Sequence, residues 1–228
     1  MTNILMSRGL LGHPMMISNF KPFIQSNDQV LIVALSHFPL YTPTEKDYNL
    51  YYEKGGEYYQ KMIDSFTPYG IKESQIKWIH YFKDTKQSAL DKIKKADIIY
   101  FPGGSPDLMM KRIEAFGIKE ALEAHQKVYI GSSAGAMIQF ENYYISPDVD
   151  YKSFSYEKGL NLLKGFFVEV HYRRRKKQKS SLRKVHRAYH QDIYAIPDDG
   201  ALIVNDLEIQ VIQSARKLYN KKGVVKIK

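Results

Sequence analysis

The chain has 228 residues and not one cysteine among them. That single absence excludes disulfides, a thiol nucleophile and thiolate metal sites together. Long apolar runs are missing too: no window approaches the ~18 uninterrupted residues that a membrane-crossing helix needs. The stretch from Met1 to Ile17 is mildly apolar but is broken by Arg8, Gly9, Gly12, His13 and Pro14. It lacks the basic, apolar and small-residue order of a signal peptide, so a cytoplasmic protein is expected, with no membrane partner. Between His171 and Arg187 there is no acidic residue at all. No internal repeat or low-complexity linker interrupts the chain, and one α/β domain over residues 1–228 is expected.

The segment without acids carries nine bases: Arg173, Arg174, Arg175, Lys176, Lys177, Lys179, Arg183, Lys184 and Arg187. The formal net charge is +10, so nearly the whole excess sits in this one place. Such a run is either a solvated basic helix or loop, or an electropositive wall facing an acidic ligand or nucleic acid. Its position beside a candidate catalytic histidine favours the acidic ligand.

Apolar runs alternate with helix-spaced stretches, which predicts a mostly parallel sheet covered on both faces. Short strands are expected at Asn3–Met6, Gln29–Ser36, Gln75–Phe82, Ala96–Phe101 and Lys127–Ile130. Residues 46–69 are helix-spaced, with a break or kink at Gly55-Gly56. Residues 87–95 form a second helix with Ala89, Leu90 and Ile93 inward. A third runs from the Ser105 cap and Pro106 to about Gln126. Asn142–Ser155 reads as a loop, and Gly165–Tyr172 as a strand. The remaining runs, Ile193–Ile196, Ala201–Val204, Glu208–Gln213 and Gly223–Ile227, are parted by turn signals and predict hairpin strands at the sheet edge. The expected fold is a flavodoxin-like three-layer α/β sandwich with a mostly parallel central sheet and C-terminal hairpin strands.

The most informative motif is Gly131-Ser132-Ser133-Ala134-Gly135-Ala136, fed by the apolar run Lys127–Ile130. It fits Gly-x-Ser-x-Gly, the sharp strand-to-helix turn that lifts a serine hydroxyl into a cleft. Ser133 holds the central position and is the nucleophile candidate. Upstream, Gly103-Gly104 closes a strand and can bring a bare N–H beside the serine turn. With the N–H of Ala134 it would form a two-donor oxyanion hole. Neither a Gly-Lys-Ser/Thr loop nor G-x-G-x-x-G is present, so a phosphate cradle is disfavoured.

Of seven histidines, His171 ends the apolar run from Phe166 and would be delivered to the same cleft edge. His186 and His190 stand four apart but lack a carboxylate or thiolate companion, so no metal site is expected. His13, His37, His80 and His125 have no partner motif. A base of this kind needs a carboxylate to fix its tautomer and stabilise its charged form. Asp198, in Ile196-Pro197-Asp198-Asp199-Gly200, leads. Asp199 remains open, and Asp148 would reverse the order to Ser, Asp, His.

These pieces resemble the dipeptidase E and cyanophycinase family of serine peptidases, whose fold is related to the class I glutamine amidotransferases. The resemblance rests on Phe101-Pro-Gly-Gly-Ser105, Ile130-Gly-Ser-Ser-Ala-Gly-Ala136, Gly159-Leu-Asn-Leu-Leu163 leading to Val170-His171-Tyr172, and Ala195-Ile-Pro-Asp198. It implies Ser133 as nucleophile, His171 as base and Gly104 with Ala134 as oxyanion hole. The acid it implies is Asp198 or, in another alignment of roles, Asp148. Family members usually carry Asp or Asn, then Pro or Gln, before the histidine; here Glu169-Val170 stand there.

The expectation is therefore a serine peptidase hydrolysing small peptides through an acyl-serine intermediate, with an acidic, Asp-containing preference and no metal or organic cofactor. A small peptide is the expected partner, nucleic acid is disfavoured and a homodimer is left open. The alternatives are an esterase-type serine hydrolase, or a non-catalytic module binding nucleic acid or an acidic ligand.

Overall fold

In the computed structural model, which describes residues 1–206 and 208–225, successive residues of the apolar strands take opposite faces of one large sheet. The chain opens with strand β1 (Thr2–Met6), helix α1 (Pro14–Phe20) and β2 (Val30–Val33). Helices α2 (Glu45–Tyr52) and α3 (Glu57–Phe66) precede β3 (Ile76–Ile79), α4 (Lys86–Lys95) and β4 (Ile98–Phe101). Then come α5 (Pro106–Phe116), α6 (Lys119–Ala124), β5 (Val128–Ser132) and the short α7 (Ala134–Met137). Strands β6 (Asn142–Ile145), β7 (Ser155–Lys158) and β8 (Phe166–Val170) lead into α8 (Lys176–Tyr189). The chain ends with β9 (Asp192–Ile196), β10 (Ala201–Asn205), β11 (Glu208–Ile212), β12 (Arg216–Asn220) and β13 (Gly223–Val224).

The large sheet runs β11-β10-β1-β5-β4-β2-β3. Strands β1 to β5 are mutually parallel, whereas β10 and β11 join as an antiparallel edge. Leu5, Leu31, Val33, Ile99, Phe101 and Tyr129 face the helices α4 to α7. Their neighbours Ile4, Met6, Ile32, Tyr100 and Ile130 face α1 to α3. All four residues of β2 and of β4 are buried, the near-continuous apolar pattern of strands covered on both sides. This is the expected α/β sandwich.

Three details differ from expectation. The expected loop Asn142–Ser155 instead opens with β6 and leads into its antiparallel partner β7, which reads Ser-Tyr-Glu-Lys and carries no apolar run to reveal it. Strand β9 is no hairpin partner of β10. It pairs in parallel with β8 and joins a separate sheet, β13-β12-β9-β8. The helix expected to reach Gln126 stops at Phe116, because Gly117 takes a left-handed conformation (φ 64°) and caps it before α6 starts. The expected break at Gly55-Gly56 does separate α2 from α3, and the end of the expected strand at Ile227 lies outside the described residues.

Helix α7 is wedged against the sheet at a separation only glycine permits. A Cβ on Gly135 would lie 1.9 Å from the Phe101 carbonyl oxygen. The buried Asn3 amide donates to Gln139 Oε1 at 2.9 Å, and Gln139 Nε2 donates to the Gly135 carbonyl at 3.0 Å. This tie holds the turn of β5 into α7 against β1. Gly135→Ala should therefore destabilise the protein by about 3 kcal/mol, the upper end of overpacking costs. Urea unfolding measures it, and an unchanged midpoint would contradict the packing described.

Candidate active site

The parallel strands end on one edge, and the serine turn sits there, where ligands of open α/β sheets bind. Ser133 follows β5 with φ 50° and ψ −113°, a conformation that non-glycine residues rarely adopt. Its N–H donates to the Met6 carbonyl at 2.8 Å, which fixes the turn against the end of β1. The side chain is thereby lifted towards β8.

His171 leaves β8 with φ 50°, and its ring meets the serine. Its Nε2 lies 2.9 Å from Ser133 Oγ, and its Nδ1 lies 2.7 Å from Asp198 Oδ1. With Nδ1–H donated to the carboxylate, Nε2 is left as the acceptor for the serine proton. Asp198 follows β9, the parallel neighbour of β8, so the pairing of those two strands sets the histidine–aspartate distance.

Asp198 is held by more than His171. Its Oδ2 accepts from Arg173 at 2.5 Å and from Arg8 at 3.2 Å. Partial burial alone would raise its pKa; the hydrogen bonds from His171, Arg173 and Arg8 outweigh it and hold the carboxyl well below the usual range. It is a fixed negative charge beside the imidazole at every ordinary pH.

The remaining acid candidates are placed elsewhere. Asp148 Oδ1 accepts the N–H groups of Asp150 and Tyr151 at 2.9 and 2.8 Å, closing its own loop, and does not reach His171. It lines the same cleft. Asp199 hydrogen-bonds with the Ser214 hydroxyl. The order along the chain is thus Ser, His, Asp. His186 Nε2 meets the Asn220 carbonyl at 2.9 Å, in the C-terminal half of α8.

The upstream glycine pair approaches the serine as expected. A Cβ on Gly103 would lie 3.5 Å from Ser133 Cβ. Gly104 has φ 137°, and a Cβ there would stand 2.2 Å from the Ser36 carbonyl oxygen, so glycine is required. That loop is pinned by Ser105 N–H to Ser36 O at 2.8 Å and by Ser36 Oγ to Gly103 O at 2.6 Å. Neither the Gly104 nor the Ala134 N–H binds a backbone carbonyl among the described residues, and both residues line the cleft with Ser133. Two free donors flanking a serine hydroxyl can accept developing negative charge.

The cleft is about 530 Å³ and is walled by Tyr144, Ser146, Asp148, Glu169, Arg175 and Lys176, among others.

A family model for Peptidase family S51 matches residues 50–212, well over half of the chain. The chain belongs to peptidase family S51. Among solved structures the peptidase is similar to one described as a "Putative Peptidase E Protein" from Listeria monocytogenes EGD-e. The identity is 19%, the TM-score is 0.65, and the alignment covers 95% of this chain and 98% of that one. A peptidase from an acI-B1 Actinobacterium is similar at 14% identity and TM-score 0.65, over 96% and 94% of the two chains. At these identities the likeness speaks for the fold. No curated protein matches the peptidase significantly. No helix among its described residues is long and apolar enough to cross a membrane.

Sequence reasoning missed the residues that hold the site together. The Ser7 hydroxyl donates to the Ile196 carbonyl and accepts the His171 N–H at 2.8 Å. Gln178, in the first turn of α8, donates to the His171 carbonyl at 2.9 Å and accepts the Arg173 N–H at 2.9 Å. No local signal marks Ser7. The basic segment does mark Arg173, although not its partner.

Because the folded-state pKa of Asp198 lies below its unfolded value, its ionised form contributes stability that is fully present above about pH 4. That contribution is lost as pH falls towards the folded pKa. Between pH 5 and pH 2 the wild type should lose about 1 kcal/mol more than Asp198→Asn, after allowing for solvent screening. Urea midpoints of both proteins across that range check it; identical slopes would count against the ion cluster.

Proposed function

We propose that the protein is a serine peptidase that hydrolyses small peptides through an acyl-serine intermediate. The observation that carries this reading is the unbroken hydrogen-bonded chain Ser133–His171–Asp198 at the mouth of the cleft. Membership of a peptidase family supplies the reaction class.

In this mechanism His171 Nε2 takes the proton of Ser133 Oγ as that oxygen attacks the scissile carbonyl carbon. Asp198 holds the imidazole by Nδ1 and stabilises its positive charge without taking the proton. The N–H groups of Gly104 and Ala134 receive the oxyanion, each donor contributing roughly 3 kcal/mol to the transition state. His171 then protonates the leaving amine, the C–N bond breaks, and an ester on Ser133 remains. A water molecule, deprotonated by His171, attacks this ester; the second oxyanion collapses, the acid product leaves and Ser133 recovers its proton.

The substrate reading follows from charge. Arg175, Lys176 and Lys177 are exposed cations on the cleft wall, and Arg173 sits on Asp198 beside the nucleophile. Their field favours an anionic group on the substrate, and an N-terminal aspartyl residue on the acyl side would meet it. Nothing about the serine turn itself distinguishes an ester from an amide, so an esterase remains the competing use of the same atoms.

Labelling with a serine-directed phosphonate, followed by a panel of dipeptides and short acyl esters, tests the proposal. Ser133→Ala should take no label and lose at least about 10⁴-fold in kcat, and Asp198→Asn should lose about 10⁴-fold through the wrong tautomer. Asp148→Asn should stay within about threefold, since its carboxylate does not touch the imidazole. Label on another residue, or equal loss from Asp148→Asn, would redirect the assignment.

A further inference from the structure

The cleft next to Ser133 carries exposed cations at Arg173, Arg175, Lys176 and Lys177 and exposed acids at Asp148 and Asp150, and it also holds one buried acid. Glu169 is the fourth residue of β8, two before His171, and alternation places it with Phe167 on the face that packs against Tyr144 and α8. It is 4% exposed and lines the cleft with Ser133 and His171. Its Oε2 accepts from the Ser146 hydroxyl at 2.9 Å. No Lys, Arg or His stands within 4 Å of its carboxyl among the described residues. A buried carboxyl without a counter-charge is costly when ionised, and the candidate chemistry has no use for it.

We propose that Glu169 is a specificity-determining residue of this site: its carboxyl admits an acidic substrate side chain when neutral and rejects it when ionised. The inference rests on the peptidase reading above and deepens it. When protonated, Glu169 can donate a hydrogen bond to a substrate carboxylate drawn in by the cationic rim. When ionised, it sets a second negative charge against that carboxylate in a poorly solvated place. An amide side chain of the same shape, as in asparagine, carries both donor and acceptor and is insensitive to the change.

The surroundings put this switch within the working range of a peptidase. Burial, with the charge of Asp148 adding to the rise, pushes the Glu169 pKa up to about 7 against the opposing pull of the Ser146 hydrogen bond and of the nearby Tyr144 and Gln178 polar groups. Strand β6 and the segment after it present Tyr144, Ser146, Asp148, Asp150 and Tyr151 to the cleft, and the end of β8 presents His171. The start of α8 and the turn before it present Arg173, Arg175, Lys176, Lys177 and Gln178. On the sheet, Glu169 registers with Ala195 of β9, which registers with Arg216 of β12. The Arg216 guanidinium is engaged at the Ser214 carbonyl, 3.2 Å away.

The test is the ratio of kcat/KM for Asp-Leu to that for Asn-Leu between pH 6 and pH 8.5. Any ionisation of the groups shared by both substrates cancels in the ratio, and kcat/KM reports groups of the free enzyme. In the wild type the ratio should fall about tenfold or more as pH rises through 7, tracking the loss of the neutral carboxyl. In Glu169→Gln, which keeps the size and the donor of the neutral acid, it should stay near the low-pH wild-type value throughout. That variant also carries the substrates' own titration as a control. Ser146→Ala removes a bond to the ionised form and should move the midpoint of the fall to higher pH.

A flat ratio in the wild type, or a fall that persists in Glu169→Gln, would overturn the proposal while leaving the peptidase reading intact. Absence of both phosphonate labelling and dipeptide cleavage in the wild type would instead end that reading, and this inference with it.

Discussion

One serine hydroxyl joins the large sheet to the four-stranded sheet at the point where they must agree. Ser7, just past β1 of the large sheet, donates to the carbonyl of Ile196 at the end of β9. The same oxygen accepts the N–H of His171 at the end of β8. Ser133 belongs to the large sheet and its histidine and aspartate partners to the small one, so their distances depend on how those sheets are docked. The proposed acyl transfer would lose its advantage with misplacements of about 1 Å, and a buried hydrogen bond at the joint is a direct way to prevent them.

Close approach is the second constraint. Gly104 and Gly135 stand where any Cβ would run into a backbone carbonyl. The resulting proximity of the β4 loop, the β5 turn and α7 brings two free N–H groups beside one hydroxyl. Ser133 is held in a rare backbone conformation by the contacts around it, and such strain persists only where the surroundings over-determine it. Packing density and the layout of the site are thus one property here.

Charge is arranged with equal economy. Arg8 and Arg173 keep Asp198 ionised, and the turn bearing Arg173 is fastened through Gln178 to the carbonyl of His171. The amphipathic α8 buries Gln178, Ser181, Leu182 and Val185 and turns its bases outward, which resolves the basic run into an anchored helix whose first turn walls the cleft. Glu169 is the buried acid of that cleft, placed by strand alternation towards Tyr144 and α8.

Local chemistry made much of this legible in advance. The doubly covered strands β2, β4 and β5 announced themselves as continuous apolar runs, and the two Gly-rich ends of β4 and β5 marked their own turns. The strand ending in His171 was equally plain. What a run of residues cannot carry is which strand lies beside which. The pairing of β8 with β9 in a separate sheet, the polar strand β7, the two arginines on Asp198 and the bridging role of Ser7 all arise from contacts between residues far apart in the chain. Periodicity and turn preference act over a few residues, so the sequence by itself determined the elements and the reactive types they bear. Only the tertiary structure decided which of those groups come within bonding distance, because that depends on strand register and sheet docking, to which no local signal is tied.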